Sequence, residues 1–327
     1  MSAESIDLAA RLDEGHLAVL NALPPDLLDL SDIERTRAGL EALFASMPAP
    51  ELPSTVTIED VMVPGLDGDP DVMVRLYRPD GLSRSAAGAP ALYWIHGGGM
   101  VLGSVDMNDL DCAARAADFG CLVASVEYRL APEHPFPAPM NDCYAGLSWL
   151  ASSAAELGVD PARIAIGGAS AGGGLAAGLA LMARDRGGPS VCFQLLVYPM
   201  LDHRNDQPST HGITDPRLWN RDANRAGWDA YLAGADSEAV SPYASPAVAG
   251  DLAGLPPAYV NVGEFDLFLD EDVAYARALM RAGVPCELHV YPGAFHGSNS
   301  FVADSPLSRR WRADEDAALR EALFPGG

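Results

Sequence analysis

The sequence of 327 residues contains no lysine, so the 21 side chains counted as positively charged at pH 7 are all arginines. This absence excludes mechanisms that depend on a lysine amine, including Ser–Lys hydrolysis, Schiff-base chemistry and phosphate binding by a P-loop lysine. Acidic residues number 45, and the resulting net charge of −24 disfavours binding to nucleic acids and to anionic membrane surfaces.

Cysteines are also few, and the five present contain no C-x-x-C pair. We therefore expect neither a zinc site nor a disulfide framework, and the pattern fits a reducing compartment. The first seven residues lack the basic region and apolar core of a signal peptide, and no apolar run approaches the length of a membrane span. These absences predict a cytoplasmic protein.

The most informative segment that is present is a G-x-S-x-G motif centred on Ser170. It follows a strand-like run at 163–166 and precedes a helix-like run at 175–182, which is the setting of a nucleophile elbow. Small residues beside the serine let the strand and the helix approach each other closely. The motif therefore predicts an exposed serine hydroxyl at the end of a strand.

A second motif consists of His96 followed by Gly97, Gly98 and Gly99, and it comes after another apolar run. A loop of this kind supplies backbone N–H groups to an oxyanion hole. We expect two donors from this loop, with Gly98 and Gly99 favoured and Gly97 as the other candidate, and a further donor from Ala171. One such donor typically lowers the barrier by about 3 kcal/mol.

A serine nucleophile needs a base and an orienting carboxylate, which follow it along the chain in this fold class. One strand-like run leads to Glu264 and Asp266, and the next leads to His296. Because parallel strands bring their carboxyl ends to one sheet edge, we expect Asp266 and His296 to meet Ser170 there. Glu264 is the alternative acid, whereas residues 270–272 are expected in the acidic first turn of a helix.

With these residues placed, the chain resembles the hormone-sensitive-lipase-like family of α/β-hydrolase carboxylesterases, from about Val61 to near the C-terminus. The resemblance rests on five segments in the order of the family, namely H-G-G-G at 96–99, Y-R-L-A-P-E at 128–133, G-A-S-A-G-G at 168–173, Asp266 with Asp270 and Glu271, and P-G-A-F-H-G at 292–297. Ala169, Met100 and the Gly297-Ser298 pair depart from the family pattern, and these departures leave the acyl-chain preference open.

The resemblance implies a serine carboxylesterase that hydrolyses short-chain esters through an acyl-enzyme intermediate, without a metal or organic cofactor. Two alternatives are a non-catalytic small-molecule binding module of the same fold, against which the presence of His296 argues, and a hydrolase of amides, lactones or thioesters. A homodimer formed through the last strand, at 286–291, is a further implication. Arg129 and Glu133 would either brace the oxyanion loop or form an ordinary surface ion pair.

Alternating helix-like and strand-like runs after residue 106 predict an α/β-hydrolase fold, with a mostly parallel central sheet flanked by helices and a helical cap. The proline-rich stretch before residue 54 separates predicted N-terminal cap helices at 1–53 from a catalytic domain at 54–327. The alternative for the N-terminal helices is a hairpin packed on the outside of the domain.

Helical periodicity in the N-terminal part covers 3–23 and 31–47, and Ser31 with Glu34 predicts a capping box for the second helix. The alternation breaks at 199–255, and this long segment predicts a second part of the cap. Its aromatic residues fit either a substrate pocket or core packing; they are Trp219, Trp228, Tyr231 and Tyr243.

Overall fold

The computed structural model describes residues 8–46, 51–82, 88–233 and 239–326, which form an α/β fold around one eight-stranded sheet. The strands are β1 (Val56–Val63), β2 (Val72–Pro79), β3 (Ala89–Ile95), β4 (Leu122–Glu127), β5 (Val159–Ala169), β6 (Phe193–Val197), β7 (Ala258–Phe265) and β8 (Cys286–Phe295).

The strand order across the sheet is β1-β2-β4-β3-β5-β6-β7-β8. Strand β2 runs antiparallel to both of its neighbours, β1 and β4. The other neighbouring pairs, from β4 through β3 to β8, are parallel. The predicted mostly parallel sheet is therefore confirmed. Its parallel strands bring their carboxyl ends to one edge, where the functional residues predicted from the sequence lie.

Helices cover both faces of the sheet. The α-helices of the described residues are α1 (Leu8–Arg11), α2 (Glu14–Ala22), α3 (Ile33–Ser46), α4 (Asp109–Phe119), α5 (Ala138–Ser152), α6 (Ala154–Leu157), α7 (Ala171–Arg186), α8 (Pro208–Gly212), α9 (Arg221–Tyr231), α10 (Leu269–Arg281), α11 (Ser298–Phe301) and α12 (Pro306–Leu323).

Side chains of the central strand β3 alternate between two buried layers. Leu92 and Trp94 pack in the layer that contains α4 and α12, whereas Tyr93 and Ile95 pack in the layer that contains α5, α7 and α10. Because both faces are covered, β3 is apolar along its whole length instead of alternating with polar residues.

The N-terminal helix predicted at 3–23 is wrong as a single element, because the described part of it forms α1 and α2 with a break at Leu12 and Asp13. The carboxylate of Asp13 accepts the N–H of Gly15 at 3.1 Å and caps α2. Residues 3–7 of the prediction lie outside the described residues.

The third helix also begins differently from the prediction. The Asp32 carboxylate accepts the N–H of Arg35 at 3.0 Å, so Asp32 caps α3 in place of Ser31. The Ser31 N–H instead donates to Asp29 at 3.1 Å. Two capping residues stand side by side in this sequence, and a pattern alone does not choose between them.

The N-terminal helices and the 199–255 segment meet beside the carboxyl edge of the sheet. The Arg217 guanidinium donates to the Asn21 side-chain oxygen at 3.0 Å and to the Leu20 carbonyl at 3.4 Å. The cap predicted from these two segments stays a prediction, but the segments do contact each other.

No helix among the described residues combines the length and the apolar character needed to cross a membrane. The five cysteines all lie in the described part of the chain, and each is a free thiol.

The acidic first turn of α10 contains the predicted residues 270–272, but two of them are buried. Glu271 accepts the N–H groups of Leu201 and Asp202, at 2.8 and 3.2 Å, whereas neither oxygen of Asp272 has a partner among the described residues. Burial is the main cause that raises the pKa of both carboxyl groups well above its usual range. Nearby carboxylates add to it, namely Asp202 and Asp266 for Glu271, and Glu271 and Asp266 for Asp272.

We therefore expect Asp272→Asn to stabilise the protein at neutral and alkaline pH. The raised pKa means that the native protein holds this proton where the unfolded chain releases it, so the wild type loses stability as the pH rises above about 4. The gain from the variant should grow by up to about 1.4 kcal/mol per pH unit until the native pKa is reached. Urea unfolding at several pH values measures it, with exposed Asp229→Asn as the control. A pH-independent difference would contradict this account.

Candidate active site

Ser170 lies in the sharp turn between β5 and α7, with φ 58° and ψ −122°. This conformation is strained for a residue with a side chain, and surrounding hydrogen bonds hold it. The Ser170 N–H donates to the Val197 carbonyl at 2.9 Å, and its carbonyl accepts the N–H groups of Met200 and Gly174 at 2.9 and 3.0 Å. Neighbouring backbone thus fixes both sides of the serine.

The glycines of the turn are required by close backbone contact. A Cβ on Gly172 would lie 2.0 Å from the Ile95 carbonyl oxygen, and a Cβ on Gly168 would lie 2.4 Å from the backbone of Gly172. Any larger residue at either position would force α7 away from the sheet. Small residues are therefore needed at these two positions because the strand and the helix approach each other closely, as the sequence predicts.

The structure brings Ser170, His296 and Asp266 into one hydrogen-bonded chain. The His296 Nε2 lies 3.0 Å from the Ser170 Oγ, and the His296 Nδ1 lies 2.7 Å from Asp266 Oδ2. The other carboxylate oxygen accepts the N–H of Phe268 at 3.0 Å. Because a carboxylate only accepts, Nδ1 carries the proton and Nε2 is free to take one from the serine hydroxyl.

Aromatic rings surround the imidazole of His296. The Tyr198 ring lies 4.8 Å from it at an interplanar angle of 66°, and the Phe268 ring lies 5.1 Å away at 83°. Both rings therefore meet the imidazole edge to face and restrict its orientation. The sequence did not indicate a role for either residue, although Tyr198 directly follows the end of β6 and Phe268 lies two residues after the proposed acid.

The glycine loop after β3 is fixed through its carbonyl groups. The Gly98 carbonyl accepts the N–H groups of Val101 and Leu102, at 3.0 and 2.8 Å. The Gly97 carbonyl accepts from His96 Nδ1 at 2.8 Å. A trans peptide holds its C=O and its N–H in opposite directions. The bonds to the Gly98 carbonyl therefore also set the direction of the Gly99 N–H, and the bond to the Gly97 carbonyl sets the direction of the Gly98 N–H.

Neither of these two N–H groups has an acceptor within the described chain, and Ala171 is the first residue of α7, where the N–H has no intrahelical partner. Gly98 has φ 110° and Gly99 has φ 62°, a region that favours glycine. The three amides thus have no acceptor among the described residues. The loop reaches the serine at Gly97, where a Cβ would lie 3.4 Å from the Ser170 Cβ.

The buried side chain of His96 packs against Tyr128 at the start of the glycine loop. Its ring is fully buried and stacks on Tyr128 at 4.1 Å, while the Tyr128 hydroxyl donates to the His96 carbonyl at 3.0 Å. Burial lowers the pKa of His96 to about 4, so the ring is neutral at physiological pH and can donate from Nδ1. The histidine of the motif acts here as a neutral support.

The aromatic residues of the 199–255 segment differ in what they contact. The Trp219 ring lies against Gly99, where a Cβ would come within 2.2 Å of the ring, and its indole N–H donates to Asn224 at 3.2 Å. Trp228 and Tyr231 are buried against each other with ring centroids 6.1 Å apart. Tyr243 donates its hydroxyl to Asp185 at 3.0 Å. Trp219 therefore packs directly on the glycine loop, whereas Trp228 and Tyr231 pack on each other.

The alternative acid is engaged elsewhere. Glu264 pairs with Arg11 of α1 and accepts the Gly293 N–H at 3.1 Å, and it makes no bond to His296. Arg129 and Glu133 do not pair with each other. Arg129 binds the buried carboxylate of Asp142, with contacts of 2.7 to 3.1 Å.

Glu133 instead pairs with Arg37 of α3, a residue for which the sequence gave no functional signal. No group of three or more His, Cys, Asp and Glu side chains in the described ranges is arranged to hold a metal ion.

Comparison with known proteins places this geometry in a family. A family model described as the α/β hydrolase fold matches residues 92–300, which is more than half of the chain. Carboxylesterase NlhH of Mycobacterium tuberculosis is 38% identical over 307 residues, which cover 93% of this chain and 94% of the relative. An ethyl acetate hydrolase of Pseudomonas putida is 34% identical over 293 residues, covering 89% and 90%.

The solved structure of a bacterial heroin esterase is 44% identical, with a TM-score of 0.90, and the match covers 95% of this chain and 98% of that one. Agreement in sequence and in structure thus extends over almost the whole chain. The chain belongs to the hormone-sensitive-lipase-like family of the α/β-hydrolase superfamily.

Proposed function

We propose that this protein is a serine carboxylesterase that hydrolyses short-chain carboxylic esters through an acyl-enzyme intermediate. The observation that carries the proposal is the hydrogen-bonded series from Ser170 through His296 to Asp266, together with the glycine-loop N–H groups that have no acceptor in the described part of the chain. The names of the relatives, a carboxylesterase and an ethyl acetate hydrolase among them, support the same reaction.

In the first half of the reaction, the Ser170 Oγ attacks the ester carbonyl while its proton moves to His296 Nε2. The carbonyl oxygen becomes an oxyanion and accepts hydrogen bonds from Gly98, Gly99 and Ala171, with Gly97 as the other candidate donor. Collapse of this intermediate breaks the bond to the alkoxy oxygen, and His296 gives its proton to the departing alcohol.

In the second half, His296 takes a proton from water, and the resulting hydroxide attacks the acyl-enzyme. The acid leaves, and the proton returns from His296 to Ser170. Throughout, Asp266 keeps the imidazole in the tautomer that presents Nε2 to the serine and stabilises the imidazolium form. No step requires a group that the chain does not provide.

The preference for short chains is supported by the walls of the site. Trp219 packs on the glycine loop, and Tyr198 and Phe268 pack on the base, so bulky rings stand close to the reacting atoms. Ser170 is itself only 8% exposed. The N-terminal helices and the 199–255 segment would act as a cap over this site.

A series of p-nitrophenyl esters with increasing acyl length tests the proposal, together with a fluorophosphonate probe. We expect kcat/KM to be highest for acetate or butyrate and to fall by at least about tenfold for long acyl chains that the walls exclude. One fluorophosphonate adduct should form per chain, and peptide mass spectrometry should place it on Ser170. A protein without ester turnover and without an adduct would be a binding module instead.

Two further predictions concern the whole protein. Among the described residues, strand β8 pairs with β7 alone and ends the sheet, so its edge supports homodimer formation, which light scattering would detect as a doubled mass. The five free thiols support a cytoplasmic location, where cysteines stay reduced.

A further inference from the structure

The side chain of Arg37 connects the N-terminal helix α3 to two loops of the hydrolase core. Its Nε donates to the Val101 carbonyl at 2.7 Å, and its Nη2 donates to the Ala131 carbonyl at 2.7 Å. The same guanidinium pairs with the Glu133 carboxylate, with contacts of 2.6 and 3.0 Å. Arg37 therefore binds three groups on two segments that lie 30 residues apart in the chain.

The first of these segments continues the glycine loop. The Val101 N–H donates to the Gly98 carbonyl, and that carbonyl sets the direction of the Gly99 N–H. The second segment is joined to the first by a bond of 2.9 Å from the Ala131 N–H to the Met100 carbonyl. Met100 has φ 61°, so the backbone between the glycines and Val101 is held in a conformation that non-glycine residues seldom adopt.

Only an arginine can make all of these contacts at once. The planar guanidinium directs its N–H groups at fixed angles, so it can hold two carbonyl groups and a carboxylate together, whereas an ammonium is a single point of charge. No other donor among the described residues reaches the Val101 or Ala131 carbonyl. The Arg37 side chain is 27% exposed and Glu133 is 48% exposed, so their ion pair alone contributes little.

We propose that Arg37 is a positioning residue for the oxyanion donors Gly98 and Gly99, acting through the Val101 and Ala131 carbonyl groups. This inference rests on the proposed ester hydrolysis, because it assigns these amides to the transition state. Through this contact the N-terminal helices act on the reaction itself as well as covering the site.

The test compares four variants of the full chain. Arg37→Ala removes the guanidinium, and Arg37→Lys keeps the charge without the planar fork. Glu133→Gln removes the ion pair and leaves both carbonyl contacts possible. Arg35→Ala is the matched control, since Arg35 lies on the same helix and its one ion pair among the described residues is with Asp29, within the N-terminal segment.

We expect Arg37→Ala and Arg37→Lys to lower kcat by about ten- to thirtyfold with KM changed less than about twofold, which is a fraction of the loss for one missing oxyanion donor. Glu133→Gln and Arg35→Ala should stay within about threefold of the wild type. A merely structural role would lower the fraction of active enzyme, which active-site titration measures, and would leave kcat per active site unchanged.

Two further readouts keep the test decisive. The affinity of a trifluoromethyl ketone, which forms a tetrahedral adduct on the serine, should fall in Arg37→Ala in proportion to kcat/KM. Guanidinium chloride at low, non-denaturing concentration should restore part of kcat to Arg37→Ala but not to Arg37→Lys, with sodium chloride of equal ionic strength as the control.

Equal losses in Arg37→Ala and Arg35→Ala would overturn the inference, and so would a loss in Glu133→Gln as large as that in Arg37→Ala. These outcomes leave the proposed function intact as long as the wild type hydrolyses esters. An inactive wild-type protein would instead refute the proposed function.

Discussion

Replacing Ser170 by alanine is expected to lower kcat for a short p-nitrophenyl ester by at least about 10⁴-fold. The variant removes the oxygen that forms the covalent bond to the acyl group, and His296 alone has no nucleophile to activate. The remaining rate would come from the N–H groups of the glycine loop and from orientation of the ester, which together retain a modest advantage over water.

The fold should survive this substitution. Ser170 is held through its backbone, by bonds to Val197, Met200 and Gly174, and alanine retains all of them. Steady-state kinetics, circular dichroism and fluorophosphonate labelling measure the three expected results, which are lost turnover, an unchanged fold and no adduct. Ser152→Ala, at an exposed position near the end of α5, serves as the control and should keep wild-type turnover. Turnover retained in Ser170→Ala would remove the serine from the mechanism.

The second large effect is expected for Asp266→Asn, which should lower kcat by about 10⁴-fold. Asparagine has nearly the same shape, but its amide can donate a hydrogen bond to Nδ1, and the imidazole would then carry its proton on Nε2. A histidine in that tautomer cannot accept the serine proton. Asp266 is only 1% exposed, so bulk solvent does not take over the role of the lost carboxylate.

Glu264→Gln is the matched control, because the sequence leaves Glu264 as the other candidate acid. Its carboxylate binds Arg11 and the Gly293 N–H, so we expect a loss of less than about fivefold. Measuring kcat and the pH profile of kcat for both variants decides between Asp266 and Glu264 as the acid. A larger loss in Glu264→Gln than in Asp266→Asn would reverse the choice of acid.

The sequence predicts best what depends on local pattern and chain order. The strand before Ser170 and the helix after it can be recognised because the motif and both apolar runs are adjacent. Asp266 and His296 can be selected because parallel strands end at one edge of the sheet. In the structure, Asp266 lies within hydrogen-bonding distance of His296, and His296 lies within hydrogen-bonding distance of Ser170. The roles of these residues stay predictions until the variants are measured.

Contacts between distant segments are what the sequence does not reveal. Arg37 lies in the helix predicted at 31–47, but only the folded chain shows that its side chain donates to the Val101 carbonyl. His16 is fully buried, with its Nε2 between the Ser305 and Ser308 hydroxyls at 3.1 and 3.2 Å, and nothing in the sequence around it indicates that burial. Each of these contacts joins the N-terminal segment to a part of the chain for which a single sequence supplies no pairing information.

The backbone of Ser170 has a consequence for the evolution of this chain. A side chain at φ 58° and ψ −122° costs the native state of the order of 1–3 kcal/mol, and glycine would avoid most of that cost. Selection for thermal robustness alone would therefore favour glycine at this position. Descendants released from the need for turnover would gain stability by the same single substitution that makes them inactive.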